Sequence, residues 1–227
     1  MITVGIELNN VYRNLNKQIL KYASKELNPL IEPTDCDDVN MYVSCDYVDV
    51  DKSHIHNLVN CKFSFATKSE KDRFMYIDYP LEIFGHAELM ERNLDVKLNE
   101  LVDKIGEDDI RFIFFSMDEI ALSIQATSFF LSKTCSRLRK VIYPKTKDEL
   151  WEECDVIVTS DYSLKYDKKP SFFERLFKKS AANKALVLIN RRFNKKYVDE
   201  AKLSYDSLGE MLEDEAICSK IKKLCGK

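Results

Sequence analysis

The stretch Ile110–Ser116 reads IRFIFFS, an almost unbroken apolar run that stops at a serine. A strand with one wet face alternates apolar and polar residues. A continuous apolar run belongs to a strand buried on both faces, as in a parallel sheet between helical layers. Working outward, the same kind of run recurs at Asp155–Thr159 (DVIVT, followed by Ser160 and Asp161) and at Ala185–Ile189 (ALVLI). Helical spacing falls between and beyond these runs, over Glu119–Lys133, Lys147–Cys154, Asp206–Leu212 and Ala216–Leu224, and Lys140–Tyr143 adds a short strand. Strand and helix alternating through short connections predict an α/β fold, a parallel sheet flanked by helices.

The N-terminal third begins in the same style. Ile2–Leu8 is β-branched and strand-like, and Val11–Leu27 carries Val11, Leu15, Ile19, Leu20, Ala23 and Leu27 at helical spacing before Pro29 ends it. Leu94–Ile105 is a further helix, with Gly106 as its C-cap. Residues 30–94 break the alternation. Met41–Val50, Cys61–Ala66 and Arg73–Ile77 read as short extended runs, and Leu81–Leu94 turns helical. The expected organisation is an α/β core over 1–29 and 95–227, interrupted by a β-rich insertion at 30–94.

The totals narrow the function classes. With 227 residues and 45% apolar content, the chain can fill a core, which argues against wholesale disorder. Its 35 basic and 38 acidic residues leave a net charge of −3, so neither a nucleic-acid footprint nor an acidic tail is visible. No apolar run reaches the roughly 18 residues of a membrane span, and the N-terminus has no signal-peptide pattern. The seven cysteines are odd in number, widely spaced and without a C-x-x-C pair, which fits a reducing, cytoplasmic setting rather than a disulfide framework or a zinc knuckle.

Ligands of open parallel sheets sit at the carboxyl ends of the strands. Glu7 and Asn9 follow the first strand, Ser116 follows IRFIFF, and Asp161 follows DVIVTS, so distant segments converge on one crevice. In order and spacing these residues resemble the motifs of the haloacid-dehalogenase-like (HAD) hydrolases, closest to the nucleotidase-type branch. IELNNV stands where that family has an apolar strand and D-x-D-x-T/V, FIFFS matches its strand ending in Ser or Thr, and DVIVTSD matches its strand ending in acid. The resemblance covers roughly 1–27 and 105–212, and the insertion at 30–94 sits where the family places its cap.

The resemblance implies roles. Glu7 stands for the nucleophile that forms an acyl-phosphate, Asn9 for the general acid and base, Ser116 for a phosphate-positioning hydroxyl, and Glu7 with Asp161 for the Mg²⁺ ligands. Lys133, Lys145, Lys165 and Lys168 are the candidates for the family's phosphate-neutralising lysine. Two departures fall on the chemistry itself. Glu7 reaches one methylene further than Asp, and displacements of about 1 Å can cost about 10²-fold in rate. Asn9 has no proton to transfer near neutral pH. The same two residues also suit helix capping or hydrogen bonding within a polar crevice. The expectation is a catalytically lapsed protein with no resident cofactor, retained for contacts with other proteins as a homo-oligomer or part of a larger assembly. The alternative is an Mg²⁺-dependent phosphatase of nucleotides or small phosphate esters with Glu7 as nucleophile. The Lys- and Asn-rich, Gly-poor chain is also similar in style to tailed-phage (crAss-like) virion proteins. That likeness implies a neck or tail ring subunit found in host cytoplasm and virion.

Other features have plainer readings. His54 and His56 read as an exposed turn, His86 as a helix-start or partly buried residue, and Cys135 as a buried structural thiol. Lys165–Lys179 reads as a short amphipathic helix that packs on the sheet or docks a protein. Arg191, Arg192, Lys195 and Lys196 form a basic cluster whose default is a solvated loop, and the acidic-then-basic tail suits a helix macrodipole.

Overall fold

The structure is a computed structural model that describes residues 1–26, 68–105, 109–117, 120–167 and 184–226. Its centre is a six-stranded sheet of β1 (Ile2–Glu7), β4 (Ile110–Phe115), β5 (Val141–Ile142), β6 (Val156–Thr159), β7 (Ala185–Ile189) and β8 (Leu203–Tyr205), in the order β5-β4-β1-β6-β7-β8. Every neighbouring pair in it is parallel. The chain steps outward from β1 on one side, then crosses β1 and steps outward on the other. The topological switch point, where a crevice opens, therefore lies at the carboxyl ends of β1, β4 and β6.

Alternate residues of each strand build two cores. Ile2, Val4, Ile6, Phe112, Phe114, Val156, Val158, Val187 and Ile189 face a layer formed by α3 (Leu94–Ile105), α4 (Ala121–Lys133), α6 (Leu208–Glu213) and α7 (Ile217–Leu224). Ile113, Phe115, Ile157, Leu186 and Leu188 face α5 (Lys147–Glu153), where Leu150, Trp151 and Cys154 close the other side. Both faces are covered, which is why the strands read as continuous apolar runs. Gly5 allows the second face to close: a Cβ there would lie 2.7 Å from Cys154 Sγ and 3.1 Å from Phe115.

A second, two-stranded ribbon pairs β2 (Arg13–Asn14) antiparallel with β3 (Glu88–Leu89). The chain from 15 to 87 leaves and returns through this ribbon. Its described parts are α1 (Leu15–Glu26), α2 (Lys68–Arg73) and two π-helical turns, Phe74–Asp78 and Leu81–Gly85. Arg73–Ile77, expected to be extended, is therefore helical. Adjacent residues Phe74 and Met75, like Ile83 and Phe84, are buried together against Leu15, Ile19 and Ala126. Two neighbours sharing one face fits a wide helical turn and not a pleated strand, whose side chains alternate. The extended runs at 41–50 and 61–66, the histidines at 54 and 56, and the amphipathic stretch beyond 167 lie outside the described residues.

Cys135 and His86 also differ from expectation. Cys135 is exposed, because its backbone, not its thiol, does the packing: its N–H donates to Asp95 Oδ2 at 2.8 Å and its carbonyl accepts from Asn99 Nδ2 at 2.9 Å. His86 is exposed at the end of a π-helical turn, 5.4 Å from the Phe129 ring.

Candidate functional site

β1 delivers Glu7 to the sheet edge beside Phe115 of β4, and the Leu8 N–H extends the ladder by donating to Phe115 O at 2.9 Å. The chain then turns within six residues: the Arg13 N–H donates back to Leu8 O at 2.8 Å, and the Asn10 N–H to Arg13 O at 2.8 Å. Asn10 takes φ 61°, a left-handed conformation that asparagine tolerates better than most side chains.

Glu7 is joined to the end of β6. Its Oε2 accepts from Thr159 Oγ1 at 2.7 Å and from the Ser160 N–H at 3.2 Å. The same Thr159 hydroxyl oxygen accepts the Asp161 N–H at 2.9 Å. Burial pushes the Glu7 carboxyl up to about 7 from 4.5; the Asp161 charge adds to this, while the Thr159 and Ser160 hydrogen bonds and the Arg191 cation oppose it. Asp161 itself caps the 3₁₀ turn Tyr162–Leu164, with Oδ1 accepting from the Ser163 N–H at 2.8 Å.

Asn9 belongs to a second group. Its Nδ2 donates to Ser116 Oγ at 3.0 Å, and its Oδ1 accepts two bonds from one guanidinium, Arg13 Nε at 2.9 Å and Nη2 at 2.7 Å. Arg13 is fully buried. Its Nη1 donates to Thr127 Oγ1 at 2.7 Å and to Phe84 O at 3.3 Å, and its guanidinium stacks 5.1 Å from the Phe84 ring and 5.5 Å from that of Phe130. Two N–H groups of one guanidinium converging on the same carbonyl oxygen, with the amide nitrogen donating to Ser116, give the Asn9 amide a single orientation.

The four sequence-derived residues are thus gathered into two pairs, Glu7 with Asp161 through Thr159, and Asn9 with Ser116. Sequence reasoning missed the roles of Thr159, Arg13, Arg191 and Asn194. Arg191 is no solvated loop residue: its Nη2 donates to Asn10 O at 3.1 Å, and its cation favours ionised Glu7, more weakly than the Thr159 and Ser160 hydrogen bonds do. Asn194, also buried, fixes the adjoining backbone by donating to Ser160 O at 2.8 Å and Ile189 O at 2.9 Å and accepting from the Arg191 N–H at 2.7 Å. Of the candidate lysines, Lys133 lies over the Phe129 ring and Lys165 over that of Tyr162, Lys145 is exposed, and residue 168 lies outside the described residues. Among the described residues, no group of three or more His, Cys, Asp or Glu is close enough to hold a metal ion. A divalent ion at this crevice would find two side-chain carboxylates, Glu7 and Asp161, each with one oxygen already committed to hydrogen bonds from its own chain.

No protein-family model and no curated protein matches this chain. Among solved structures, it is similar to the crystal structure of a haloacid dehalogenase-like hydrolase from Burkholderia xenovorans LB400, with 12% sequence identity and a TM-score of 0.49 over 96% of this chain and 98% of that one. Among the described residues, no helix is long and apolar enough to cross a membrane.

Proposed function

We propose that this chain is a haloacid-dehalogenase-like domain whose phosphoryl chemistry has lapsed, and that it acts through contacts with other proteins. The observation that carries this reading is the clamp on Asn9. A general acid must hold a proton and be free to hand it to a leaving group. The Asn9 amide has no such proton, and both of its ends are engaged, one by Ser116 and one by the Arg13 fork. Losing a general acid and base removes about 10²–10⁴ of rate by itself. Glu7 adds a second handicap: with a carboxyl pushed up to about 7, it is only partly ionised at neutral pH, and a neutral carboxyl is a poor nucleophile.

The expected result is hydrolysis of p-nitrophenyl phosphate at background rate in the presence of Mg²⁺, equal for the wild type and Glu7→Gln. A saturable rate that Glu7→Gln abolishes would establish the second reading, a phosphatase with Glu7 as nucleophile. The observation that favours it is the gathering of Glu7 and Asp161 around one Thr159 hydroxyl.

The surface offered for assembly is the outward face of α4. Leu122 and Phe129, seven residues apart and so on one side of the helix, are 48% and 41% exposed. Leu81, 44% exposed, approaches the same place, since it and Phe129 both crowd the bare Cα of Gly85. Three exposed apolar side chains placed this way suit burial against a partner. The occupant proposed is a second copy of the chain, and the finer form of the reading is a ring subunit such as a phage neck or tail component, supported by the composition. Light scattering should give one discrete oligomer for the wild type and a monomer for Phe129→Glu. A wild-type monomer at all concentrations would remove self-assembly from the account.

A further inference from the structure

We propose that Arg191 is a built-in cation for Glu7 at the end of β1, standing in for a divalent ion, so that this crevice takes no Mg²⁺. The inference deepens the lapsed reading and rests on its assignment of Glu7 and Asp161 as the ion-holding pair.

Arg191 begins two residues past β7, and β7 lies two strands from β1 in the sheet. Strand spacing puts those ends roughly 10 Å apart. The arginine side chain spans the gap, and its Nη2 donates to Asn10 O at 3.1 Å on the loop that follows Glu7. The other side of the guanidinium is tied down more weakly, with Nη1 3.4 Å from both Asn190 O and Asp206 O. The backbone at its base is held by buried Asn194, which also binds the end of β6 through Ser160 O. The cation is therefore anchored at the loop after β1 and, through Asn194, at the end of β6, the two strands that deliver Glu7 and Asp161.

The charges around it are complementary. The acids that act on Arg191 are Glu91 and Glu7, and the influence is mutual, since the Arg191 cation favours ionised Glu7. Glu91 is fixed by the Ser207 hydroxyl at 3.0 Å and the Gly209 N–H at 3.2 Å, and a Cβ at Gly209 would collide with it at 2.2 Å. The guanidinium thus supplies positive charge to two acids that are each held by hydrogen bonds of their own. Mg²⁺ demands near-octahedral oxygen ligands and sheds its waters reluctantly. At this crevice it would face a resident like charge, with one oxygen of Glu7 and one of Asp161 already taken by hydrogen bonds.

Calorimetric titration of MgCl₂ into the wild-type protein should give no saturable heat, and the melting temperature should agree within about 1 °C between Mg²⁺ and EDTA. Arg191→Gln keeps hydrogen-bonding capacity but removes the charge. It should melt about 5 °C lower than wild type in EDTA and recover part of that loss in Mg²⁺. Arg191→Lys, which keeps the charge, should stay insensitive to Mg²⁺. A saturable wild-type heat that Asp161→Asn abolishes would overturn the proposal, as would an Arg191→Gln protein that melts like wild type with and without Mg²⁺. If Arg191→Gln does not fold, the wild-type titration decides alone. Mg²⁺ binding without aryl phosphate hydrolysis would defeat this inference and leave the lapsed reading standing, whereas hydrolysis would defeat that reading itself.

Discussion

Arg13→Ala is expected to lower the melting temperature by roughly 10 °C, the largest loss of any single substitution at the candidate site. Arg13 is fully buried and donates to Asn9, Thr127 and the Phe84 carbonyl while lying against two aromatic rings. Truncation takes both donors from the buried Asn9 oxygen and opens a cavity between Phe84 and Phe130. Leaving a buried acceptor unsatisfied costs about 1–3 kcal/mol and the cavity left by a large buried side chain about 2–5 kcal/mol, and about 1 kcal/mol moves the midpoint of a domain this size by roughly 2–4 °C. The loss also falls at a junction. Arg13 opens the β2–β3 ribbon, and its partners lie on the π-helical turn before β3 and on α4. Arg13→Lys should recover only a small part of the stability, because an ammonium cannot reproduce the planar guanidinium that reaches Asn9, Thr127 and the Phe84 carbonyl at once. Thermal denaturation of the three proteins checks this. An Arg13→Ala midpoint within about 2 °C of wild type would mean that the clamp on Asn9 is incidental.

Glu7→Gln should have the opposite sign and a pH dependence. The folded-state value of Glu7, about 7, lies above its ordinary 4.5. Below pH 4.5 the carboxyl is protonated whether the chain is folded or not, and the difference contributes nothing. As pH rises from 4.5 to 7 the unfolded chain releases the proton and the folded chain retains it, so folding becomes progressively less favourable. Above about 7 the full penalty is present, about 3 kcal/mol for a shift of this size. Glutamine is never charged and can still accept from the Thr159 hydroxyl and the Ser160 N–H. Glu7→Gln should therefore stabilise the protein by a few kcal/mol at pH 8, and by nearly nothing at pH 4.5. Denaturant titrations of both proteins across this range provide the measurement. A Glu7→Gln protein less stable than wild type at pH 8 would contradict the burial assigned to Glu7.

Much of the fold was legible for one physical reason. β4 at Ile110–Phe115 and β7 at Ala185–Ile189 are covered on both faces, so their sequences are continuous apolar runs with clear ends. Helix α3, Leu94–Ile105, is covered on one side and shows the matching stripe. β8 is not legible because three edge residues, two half-buried and one buried, are too few to show a period. The π-helical turns escaped because adjacent apolar pairs such as Phe74–Met75 and Ile83–Phe84 fit neither the strand nor the α-helical spacing. The chain before β2 was read as helix from Val11, but it turns twice before α1 begins at Leu15, and that turn depends on the left-handed Asn10.

The site was legible in outline, since strand ends announce themselves and Glu7, Asn9, Ser116 and Asp161 occupy them. What holds those residues was not. Arg13 is a charged residue in a polar stretch, and its partners are scattered from Asn9 to Phe84 and Thr127, so nothing near it in sequence announces a buried guanidinium. Arg191 stood in a run of basic residues that ordinarily face water. Only the position of β7 beside β6, two strands from β1, turns it toward the Glu7 loop.

The central claim is that the carboxylate at position 7 no longer attacks phosphorus. An aryl phosphate with a good leaving group is the most demanding test, because such a group departs without a general acid and isolates the nucleophile. The protein would be mixed with p-nitrophenyl phosphate and Mg²⁺, quenched in acid within seconds, and weighed intact by mass spectrometry. The account predicts the unmodified mass at every time point. A phosphoryl adduct that Glu7→Gln eliminates would contradict it.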